Sequence, residues 1–439
     1  MSNLNQGELG DWLSYLENIN PNRIELGLDR VRAVLKRLNL DFSRTKVIEV
    51  AGTNGKGSSG ALIDAALRAA GLKSCLYTSP HLHRFNERVV INGRQASDEE
   101  LAEAFAAVYA RREGVELTYF EYTTLAAFYL FAKAQPDVLV LEIGLGGRLD
   151  AVNVLDADIA LIASIGLDHV RILGHTIEEI AHEKAGIIKP HCKVVTGLLD
   201  PAARAVVKAE AKKQQAQIYC EGEDFSACST DGTVFAEGQT GPFDLKMGET
   251  VIFSALPYPK IPMICAPSAL MVIYLLRRAG LNIPDAAVTK ALTSAALPGR
   301  MQLVSTRPDL YLDVAHNVPA AKHLVQVLKS RPLKGRRLAV IGMLRDKDIE
   351  GVLKLISPLF DAFYTATLHT ERGEQAARLN QALSVCAPEA LLKSYNKVDE
   401  ALAGALAAAA PDDEIVVLGS FVTVSEADAF LKGTTGLEV

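Results

Sequence analysis

Lys46-Val-Ile-Glu-Val-Ala-Gly-Thr-Asn-Gly-Lys-Gly-Ser58 is the stretch from which the fold class follows. Its first five residues predict a short buried strand. A helical pattern follows the loop and runs to about Ala70, where Gly71 suits the end of a helix. Backbone N–H groups at a helix N-terminus attract anions, and glycines let the backbone approach a phosphate closely. The loop is therefore interpreted as a phosphate site rather than an ordinary turn, with these candidate ATP contacts: Gly52, Thr53, Asn54, Gly55, Lys56, Gly57 and Ser58.

This loop departs from the common P-loop pattern GxxxxGK[ST]. That pattern would require glycine in place of Val50 and a hydroxyl residue in place of Gly57. The hydroxyl that usually binds the metal beside the lysine is therefore absent at position 57. We expect it to come from Ser58 or from another part of the chain.

Short apolar segments alternate with helical patterns around the loop. The segments are nearly continuous in Val, Ile, Leu and Ala, which is typical of strands covered on both faces. Candidate strands are Ser74–Tyr77, Val138–Ile143, Ile159–Ile165 and Lys193–Thr196. A capping box at Thr176–Glu179 opens the helix that carries His182–Ala185. The alternation predicts a doubly wound α/β domain.

A second α/β alternation follows a stretch of different composition. Residues 219–263 are rich in Gly, Thr, Asp and Pro and predict a few antiparallel strands, after which helices are expected at Ser268–Ala279 and after Pro284. Leu297-Pro-Gly-Arg300 has the composition of a hinge. Later strand candidates are Leu310–Val314, Arg337–Met343, Ala362–Thr365 and Glu414–Leu418, with an alanine-rich helix at 401–410. We predict an N-terminal P-loop ATPase domain at 1–297 and a smaller Rossmann-like α/β domain at 298–439.

Composition excludes several classes of protein. A chain of 439 residues predicts two or three domains, and its net charge of −6 argues against a nucleic-acid binder. Six scattered cysteines without a CxxC pair indicate reduced thiols rather than disulfides or a zinc site. The N-terminal sequence has no basic segment before an apolar one, and no 18-residue apolar run occurs. We therefore expect a cytoplasmic protein with no membrane partner.

Glu142 is the most informative charged residue. It lies in Val-Leu-Val-Leu-Glu-Ile-Gly, where its neighbours should be buried, and an unpaired buried carboxylate is costly. It therefore needs a cation, such as Mg²⁺, or a partner such as Arg148. Ser79 and His169 also follow candidate strands, at the sheet edge where ligands bind in open α/β folds. By itself, a histidine such as His169 at a strand end is more often structural.

Several blocks resemble one known family, the bifunctional dihydrofolate synthase/folylpolyglutamate synthases, which are relatives of the Mur peptide ligases. The blocks occur in order over nearly the whole chain. They are Gly52–Ser58, Thr78-Ser-Pro-His-Leu82, Leu117-Thr-Tyr-Phe-Glu-Tyr122, Leu141-Glu-Ile-Gly-Leu-Gly-Gly-Arg-Leu-Asp150, Leu167-Asp-His169, Glu183-Lys-Ala-Gly-Ile187, Leu297-Pro-Gly-Arg300, Asp313-Val-Ala-His-Asn317 and Ile341-Gly-Met-Leu344. The resemblance implies an ATP-dependent ligase of folate biosynthesis.

The resemblance also implies a role for each candidate site residue. The implied metal ligands, for two Mg²⁺ ions, are Ser79, Glu142, His169 and Lys184, and the implied catalytic residues are Lys56, His169 and Lys184. Lys184 resembles the family's carbamylated lysine, although alone it would be taken for a surface residue. Further ATP contacts are Ser268, Arg300 and Asp313. Ser268 stands where the family usually has asparagine, and a serine offers fewer hydrogen-bonding groups.

Two further groups of residues resemble the family's substrate contacts. His316 and Ser420 match residues near the incoming glutamate, with strand-end capping as the alternative. The pterin contacts are Glu25, Leu26, Gly27, Leu28, Thr118, Phe120, Leu149, Asp150 and Ala151. Phe120 can stack on a flat pterin, with core packing as the alternative, and a carboxylate can accept from pterin N–H groups. Val152 replaces the family's usual threonine in this segment.

The implied reaction is ATP-dependent addition of L-glutamate to dihydropteroate and to reduced folates, through an acyl phosphate, by a monomeric enzyme. Three alternatives remain open: a monofunctional folylpolyglutamate synthase, a Mur-type ligase acting on UDP-sugars, and a P-loop regulatory protein without ligase activity. Gly57 and the Tyr-Phe-Glu-Tyr block argue against the UDP-sugar ligase. The blocks at 297–300 and 313–317 argue against the regulatory protein.

Overall fold

The structure is a computed structural model that describes residues 7–19, 25–230, 233 and 240–435. The chain forms two compact units, and the second begins at Leu297. By its contacts, the short segment Leu167–His169 belongs to the second unit. None of the helices in the described ranges is long and apolar enough to cross a membrane.

The first unit is built on an eight-stranded sheet and a separate three-stranded sheet. Its strands are β1 Lys46–Ala51, β2 Ser74–Tyr77, β3 Val89–Ile91, β4 Arg94–Gln95, β5 Val138–Glu142, β6 Ile159–Ile162, β7 Lys193–Thr196, β8 Gln217–Cys220, β9 Phe225–Ser229, β10 Phe243–Met247 and β11 Thr250–Leu256. Its helices are α1 Leu9–Ile19, α2 Asp29–Leu38, α3 Lys56–Ala69, α4 Asp98–Arg112, α5 Tyr119–Ala134, α6 Val170–Leu173, α7 Ile177–Ala185, α8 Pro201–Lys213, α9 Ala266–Arg278 and α10 Asp285–Ser294.

The large sheet has the order β4-β3-β2-β5-β1-β6-β7-β8 and is parallel except at β3 and β4. Residues alternate between its two faces, so Val47 packs in the core under α4 and α5, whereas Ile48 packs in the core with α3 and α9. Helices on both faces explain why the strands are apolar throughout. The predicted doubly wound domain is confirmed, and β1 lies at its centre.

Four strand predictions extend too far at their carboxyl ends, whereas those for Ser74–Tyr77, Lys193–Thr196 and Glu414–Leu418 are confirmed. The sequence predicts Ile159–Ile165, but β6 ends at Ile162, because the next residues leave the sheet to hold the phosphate loop. Ile165 stays partly buried there, so hydrophobicity alone does not mark the strand's end. The antiparallel strands predicted within 219–263 are β9, β10 and β11, in the order β11-β10-β9.

The second unit is a six-stranded sheet with helices. Its strands are β12 Gln302–Thr306, β13 Asp309–Leu312, β14 Arg337–Ile341, β15 Ala362–Ala366, β16 Leu391–Tyr395 and β17 Glu414–Leu418. Its helices are α11 Val318–Lys329, α12 Ile349–Ile356, α13 Ala376–Cys386, α14 Val398–Ala408 and α15 Phe421–Thr435. The order is β12-β13-β17-β14-β15-β16, with β12 antiparallel to β13 and the other pairs parallel. This is the smaller Rossmann-like α/β unit that the sequence predicts.

Candidate active site

The phosphate loop connects β1 to α3, as predicted. Gly55 has φ +83° immediately before the helix, a left-handed conformation that favours glycine. Lys56 is the first residue of α3, and its Nζ donates to Gly52 O at 3.0 Å. Ser164, which the sequence did not single out, braces the loop: its Oγ accepts from Asn54 N and donates to Asn54 O, both at 2.9 Å.

Ser79 and Glu142 lie together beside this loop. Glu142 ends β5 and pairs in register with Val50 on β1, so it reaches the same sheet edge as the loop. Its carboxylate is only 7% exposed and accepts from Ser79 N at 3.2 Å. Arg148, the alternative partner, donates instead to His182 O at 3.0 Å. A buried carboxylate with a serine at its side fits the donor set that Mg²⁺ prefers.

His169 lies in a polar cluster of the second unit. Its Nε2 is 3.4 Å from Lys347 Nζ, and the same ammonium donates to Asp168 Oδ1 at 2.7 Å. Asn317 Nδ2 donates to the other carboxylate oxygen of Asp168 at 2.8 Å. Burial opposes ionisation of Asp168, but Lys347, His169 and Asn317 outweigh it and hold its pKa well below its ordinary value. Sequence reasoning missed Lys347, which is 178 residues from His169 in the chain.

Lys184 is buried in α7, with 4% of its surface exposed. The alternative interpretation as a surface lysine is therefore wrong. The helix carries its polar residues toward solvent, but position 184 falls on the same side as Ile180 and Ala181, which are fully buried. A buried ammonium is costly unless other groups compensate its charge.

The structure brings the three predicted pterin segments together. Gly27 N donates to Leu149 O at 3.2 Å, which joins the first segment to the third. The ring of half-buried Phe120 lies against Gly144, where an added Cβ would come within 2.4 Å of the ring. Leu145 N donates to Asp150 Oδ2 at 2.7 Å, which closes the loop under that ring. Leu149 is 42% exposed at this junction.

Other pterin candidates have structural contacts. Thr118 is the N-cap of α5, and its Oγ1 accepts from Glu121 N at 3.3 Å. Glu25 pairs with Arg30 at 2.8 Å, and Arg30 also contacts the buried Glu121 at 2.9 Å. Leu26 is partly buried and Leu28 and Ala151 are buried. Nothing in the local sequence reveals the Arg30–Glu121 pair, because 91 residues separate its members.

Asp150 combines a structural role with an unusual protonation equilibrium. Its two carboxylate oxygens accept from Leu145 N at 2.7 Å and Val152 N at 3.0 Å. Burial raises its pKa to about 6, although these N–H groups and the charge of Lys56 act in the opposite direction. The carboxylate is therefore ionised at neutral pH.

Asp313 and Arg300, the nucleotide candidates of the second unit, form hydrogen bonds with backbone groups of that unit. Asp313 accepts from Met301 N at 2.9 Å and from Ala315 N at 2.8 Å. Burial raises the pKa of Asp313, and the charge of Arg300 opposes that shift. The Arg300 guanidinium donates to Gly299 O at 3.2 Å and lies 5.4 Å from the centre of the Phe421 ring.

The two glutamate candidates of this unit show the capping contacts that the sequence left open. Ser420 Oγ accepts from Thr423 N at 3.0 Å, at the start of α15, and the residue is 2% exposed. His316 Nδ1 lies 2.7 Å from Val314 O and donates to it. Burial, with the charge of Lys347, lowers the pKa of His316 to about 4. The imidazole is therefore neutral at pH 7, and its Nε2 is the acceptor.

Two more buried polar residues bear on the site. Ser268, in the first turn of α9, is 1% exposed, and its Oγ lies 3.4 Å from Cys265 O. Glu49, within β1, is fully buried, and neither carboxylate oxygen has a hydrogen-bond partner among the described residues. Burial raises the pKa of Glu49 well above its ordinary value; Asp150 and Asp156 add to this shift, and Lys189 opposes it. Ionisation of the Glu49 carboxyl is therefore strongly disfavoured.

Comparison with protein families identifies both units. The Mur ligase middle domain matches residues 50–247, and the Mur ligase glutamate ligase domain matches residues 299–421. The dihydrofolate synthase/folylpolyglutamate synthase of Escherichia coli is 40% identical over 95% of this chain and 94% of its own length. The chain belongs to this family of Mur ligases. The enzyme of the same description from Bacillus subtilis is 33% identical over 82% of this chain and 86% of its own length.

Solved structures agree with that assignment. FolC of Escherichia coli in complex with DHPP and ADP has a TM-score of 0.90 and 38% identity, covering 98% of this chain and 99% of that chain. A bifunctional folylpolyglutamate synthase/dihydrofolate synthase with Mn, AMPPNP and L-glutamate bound has a TM-score of 0.87 and 38% identity, covering 99% of both chains. The protein is an ATP-dependent ligase of this family.

Proposed function

We propose that this enzyme joins L-glutamate to dihydropteroate and to reduced folates through an acyl phosphate. The observation that carries the proposal is the arrangement of the first unit. One sheet edge holds the phosphate loop and Glu142. The segment from Gly144 to Asp150 begins under the ring of Phe120. At its end, the positive charge of Lys56 lowers the pKa of Asp150, against the effect of burial. A carboxylate substrate bound by the pterin segments therefore has a phosphate site within reach.

The first chemical step is phosphoryl transfer. A carboxylate oxygen of the pterin substrate attacks the γ-phosphorus of ATP, the bond to the β-phosphate oxygen breaks, and ADP leaves. Lys56 and the loop N–H groups hold the phosphates and stabilise charge on the transferred group. Because Lys56 begins α3, it acts together with the positive end of that helix.

The second step forms the amide. The amine nitrogen of L-glutamate attacks the acyl carbon, the carbon–oxygen bond to phosphate breaks, inorganic phosphate leaves and the nitrogen loses a proton. We assign glutamate to His316 of the second unit and phosphate contacts to Arg300, while Asp313 and Ser420 hold the backbone beside them. The neutral His316 offers Nε2 as an acceptor for an N–H of the glutamate amine, because its other nitrogen donates to Val314 O.

The donor set fits Mg²⁺. Ser79, Glu142 and His169 offer a hydroxyl, a carboxylate and an imidazole nitrogen, and we propose that two ions bind, the second beside a carbamylated Lys184. When bound, Mg²⁺ neutralises the phosphate charge of ATP and supplies Lewis acidity. Burial of Lys184 supports its carbamylation, because the modification replaces a buried ammonium with a metal-binding anion.

We propose that Asp150 and Phe120 recognise the pterin ring. The ionised Asp150 accepts from its N–H groups, and Phe120 stacks on its face. We further propose that the enzyme is a monomer in the cytoplasm; six scattered cysteines without a CxxC pair are typical of a protein of a reducing compartment.

The test is release of ADP with dihydropteroate, L-glutamate and MgATP, with each component omitted in turn. We expect ADP only when all three are present, and the same result when tetrahydrofolate replaces dihydropteroate. ADP release that ignores glutamate would contradict ligase activity. Complementation of a strain lacking dihydrofolate synthase separates the bifunctional enzyme from a monofunctional folylpolyglutamate synthase.

A further inference from the structure

Glu221 is a buried carboxyl that the mechanism does not use. It follows β8 directly, and only 6% of its surface is exposed. Its Oε2 has no hydrogen-bond partner among the described residues. Burial raises the pKa of Glu221 to about 8, so the group is a neutral acid at pH 7, with one O–H donor and one carbonyl acceptor. A buried polar group without a partner is costly, which points to a ligand that supplies one.

Glu221 lies in the same cross-strand row of the large sheet as Gly52, the first residue of the phosphate loop. Glu221 N donates to Thr196 O at 3.1 Å, Gly197 N to Ile162 O at 3.0 Å, and Ala163 N to Ala51 O at 2.8 Å. These bonds continue the parallel register one residue past each strand. They place Gly52, Ala163, Gly197 and Glu221 in one row across the carboxyl edge of β1, β6, β7 and β8.

Between the phosphate loop and Glu221, this row contains only the small residues Ala163 and Gly197. A Cβ added to Gly197 would lie 2.3 Å from Ala163 O, so no larger side chain fits there. Glu142, the metal candidate, lies on β5, on the opposite side of β1. If the terminal phosphates lie toward β5, the nucleoside extends across β6 and β7. Three strand spacings of about 4.8 Å separate β1 from β8, which is within the length of an extended nucleotide.

Helix α9 covers the same face of the sheet. Tyr219, two residues before Glu221 and therefore on its side of β8, packs in the core that contains α9. The first turn of α9 also touches the loop, because a Cβ on Gly55 would lie 2.9 Å from Cys265 Sγ. In that turn, Ser268 offers a single hydroxyl whose nearest partner is Cys265 O. A hydroxyl has a single donor hydrogen, and at Ser268 the carbonyl oxygen of Cys265 competes for it.

We propose that Glu221 recognises the adenine base of ATP, donating its carboxyl proton to a ring nitrogen and accepting from the 6-amino group. This inference rests on the proposed ATP site and adds a specificity-determining residue to it. A carboxylic acid presents a donor beside an acceptor, and the adenine edge presents the complementary pair. Glu221 thereby supplies the base recognition that Ser268 cannot supply alone.

The experiment measures equilibrium binding of ATP and of purine riboside triphosphate, which lacks the 6-amino group, without pterin or glutamate. The variants are Glu221→Leu, Glu221→Gln and, as a matched control, Glu223→Leu, which changes an exposed carboxylate paired with Arg204. We expect Glu221→Leu to weaken ATP binding about tenfold, which corresponds to about 1.4 kcal/mol, and to abolish the preference for ATP over the analogue. Glu221→Gln should keep that preference, because an amide also offers a donor beside an acceptor, and Glu223→Leu should leave both affinities unchanged.

Stability without nucleotide provides a second measurement. If Glu221 exists for the ligand, Glu221→Leu should raise the unfolding temperature of the free protein, because it removes an unpartnered buried polar group. Equal loss of affinity for both triphosphates, no loss for either, or a lower unfolding temperature would overturn the proposal. If the unaltered protein failed to bind ATP, the proposed function itself would fall, which distinguishes the two failures.

Discussion

The carboxyl edges of the two large sheets use their polar residues differently. In the second unit, Asp313 accepts two backbone N–H groups and Ser420 caps α15, so these side chains fasten the chain that carries them. In the first unit, the edge is built from the glycine loop before α3 and the row through Gly197, and Oε2 of Glu221 has no partner among the described residues.

We therefore expect substitutions at the first unit's edge to affect chemistry and substitutions at the second unit's edge to affect stability. Where a ligand contacts the main chain and a few charged side chains, substitution of one of those side chains should weaken ligand binding without unfolding the protein. Where a candidate side chain already holds a loop or a helix end, its substitution should first reduce stability.

Lys56→Ala should have the largest effect. The variant removes the only side-chain cation of the phosphate loop, so we expect ATP turnover to fall by about 10²–10³-fold or more with both pterin substrates. Far-UV circular dichroism and the unfolding temperature should stay unchanged. Lys73→Ala, an exposed lysine between α3 and β2, is the control and should retain full activity. Near-normal turnover by Lys56→Ala would remove the loop from the mechanism.

Glu142→Gln should be nearly as damaging, but its defect should depend on the metal. The amide keeps the shape of the side chain and removes its charge, so we expect about a 10²-fold loss of activity and a higher Mg²⁺ concentration at half-maximal rate. Glu103→Gln, an exposed residue paired with Lys133, is the matched control. An unchanged Mg²⁺ dependence would assign Glu142 a structural role like that of Asp313.

Phe120→Ala should separate the two pterin substrates. Dihydropteroate carries its carboxylate on the benzoyl ring, whereas a folate carries it on a flexible glutamate, so the pterin cannot sit at one depth in both complexes. Because Phe120 lies over Gly144 and is only half-buried, we expect the loss in kcat/KM to be greater for dihydropteroate, by several-fold. Equal losses would indicate a shared position of the pterin or a packing role for the ring.

Much of the fold and part of the site follow from local sequence. The phosphate loop and Glu142 are predictable because a glycine turn after a strand, and a carboxylate inside an apolar strand, are both local signals. Glu49 carries the second signal as clearly, within Lys46-Val-Ile-Glu-Val, directly before the phosphate loop. Cysteine spacing, net charge and hydrophobic periodicity indicate the class of protein but no individual contact.

The remaining contacts depend on pairings that no local pattern reveals. Arg30 meets Glu121 and Lys347 meets Asp168 only after distant segments fold together. Glu221 lies in a glycine- and aspartate-rich stretch, where a charged residue ordinarily indicates a solvated loop. Its burial results from the register between β7 and β8, which the sequence does not specify residue by residue.

Ser420→Ala should have the smallest effect on chemistry and the clearest effect on stability. The hydroxyl accepts from Thr423 N and caps α15, and loss of such a cap costs about 0.5–2 kcal/mol of unfolding free energy. Ser420→Thr keeps an acceptor at this position and should recover most of the loss. If the residue acts only as a cap, denaturant unfolding should show the difference while the KM for L-glutamate changes less than twofold. A large rise in that KM in the alanine variant, without a matching loss of stability, would show that this edge of the second unit contacts substrate as directly as the first unit's loop does.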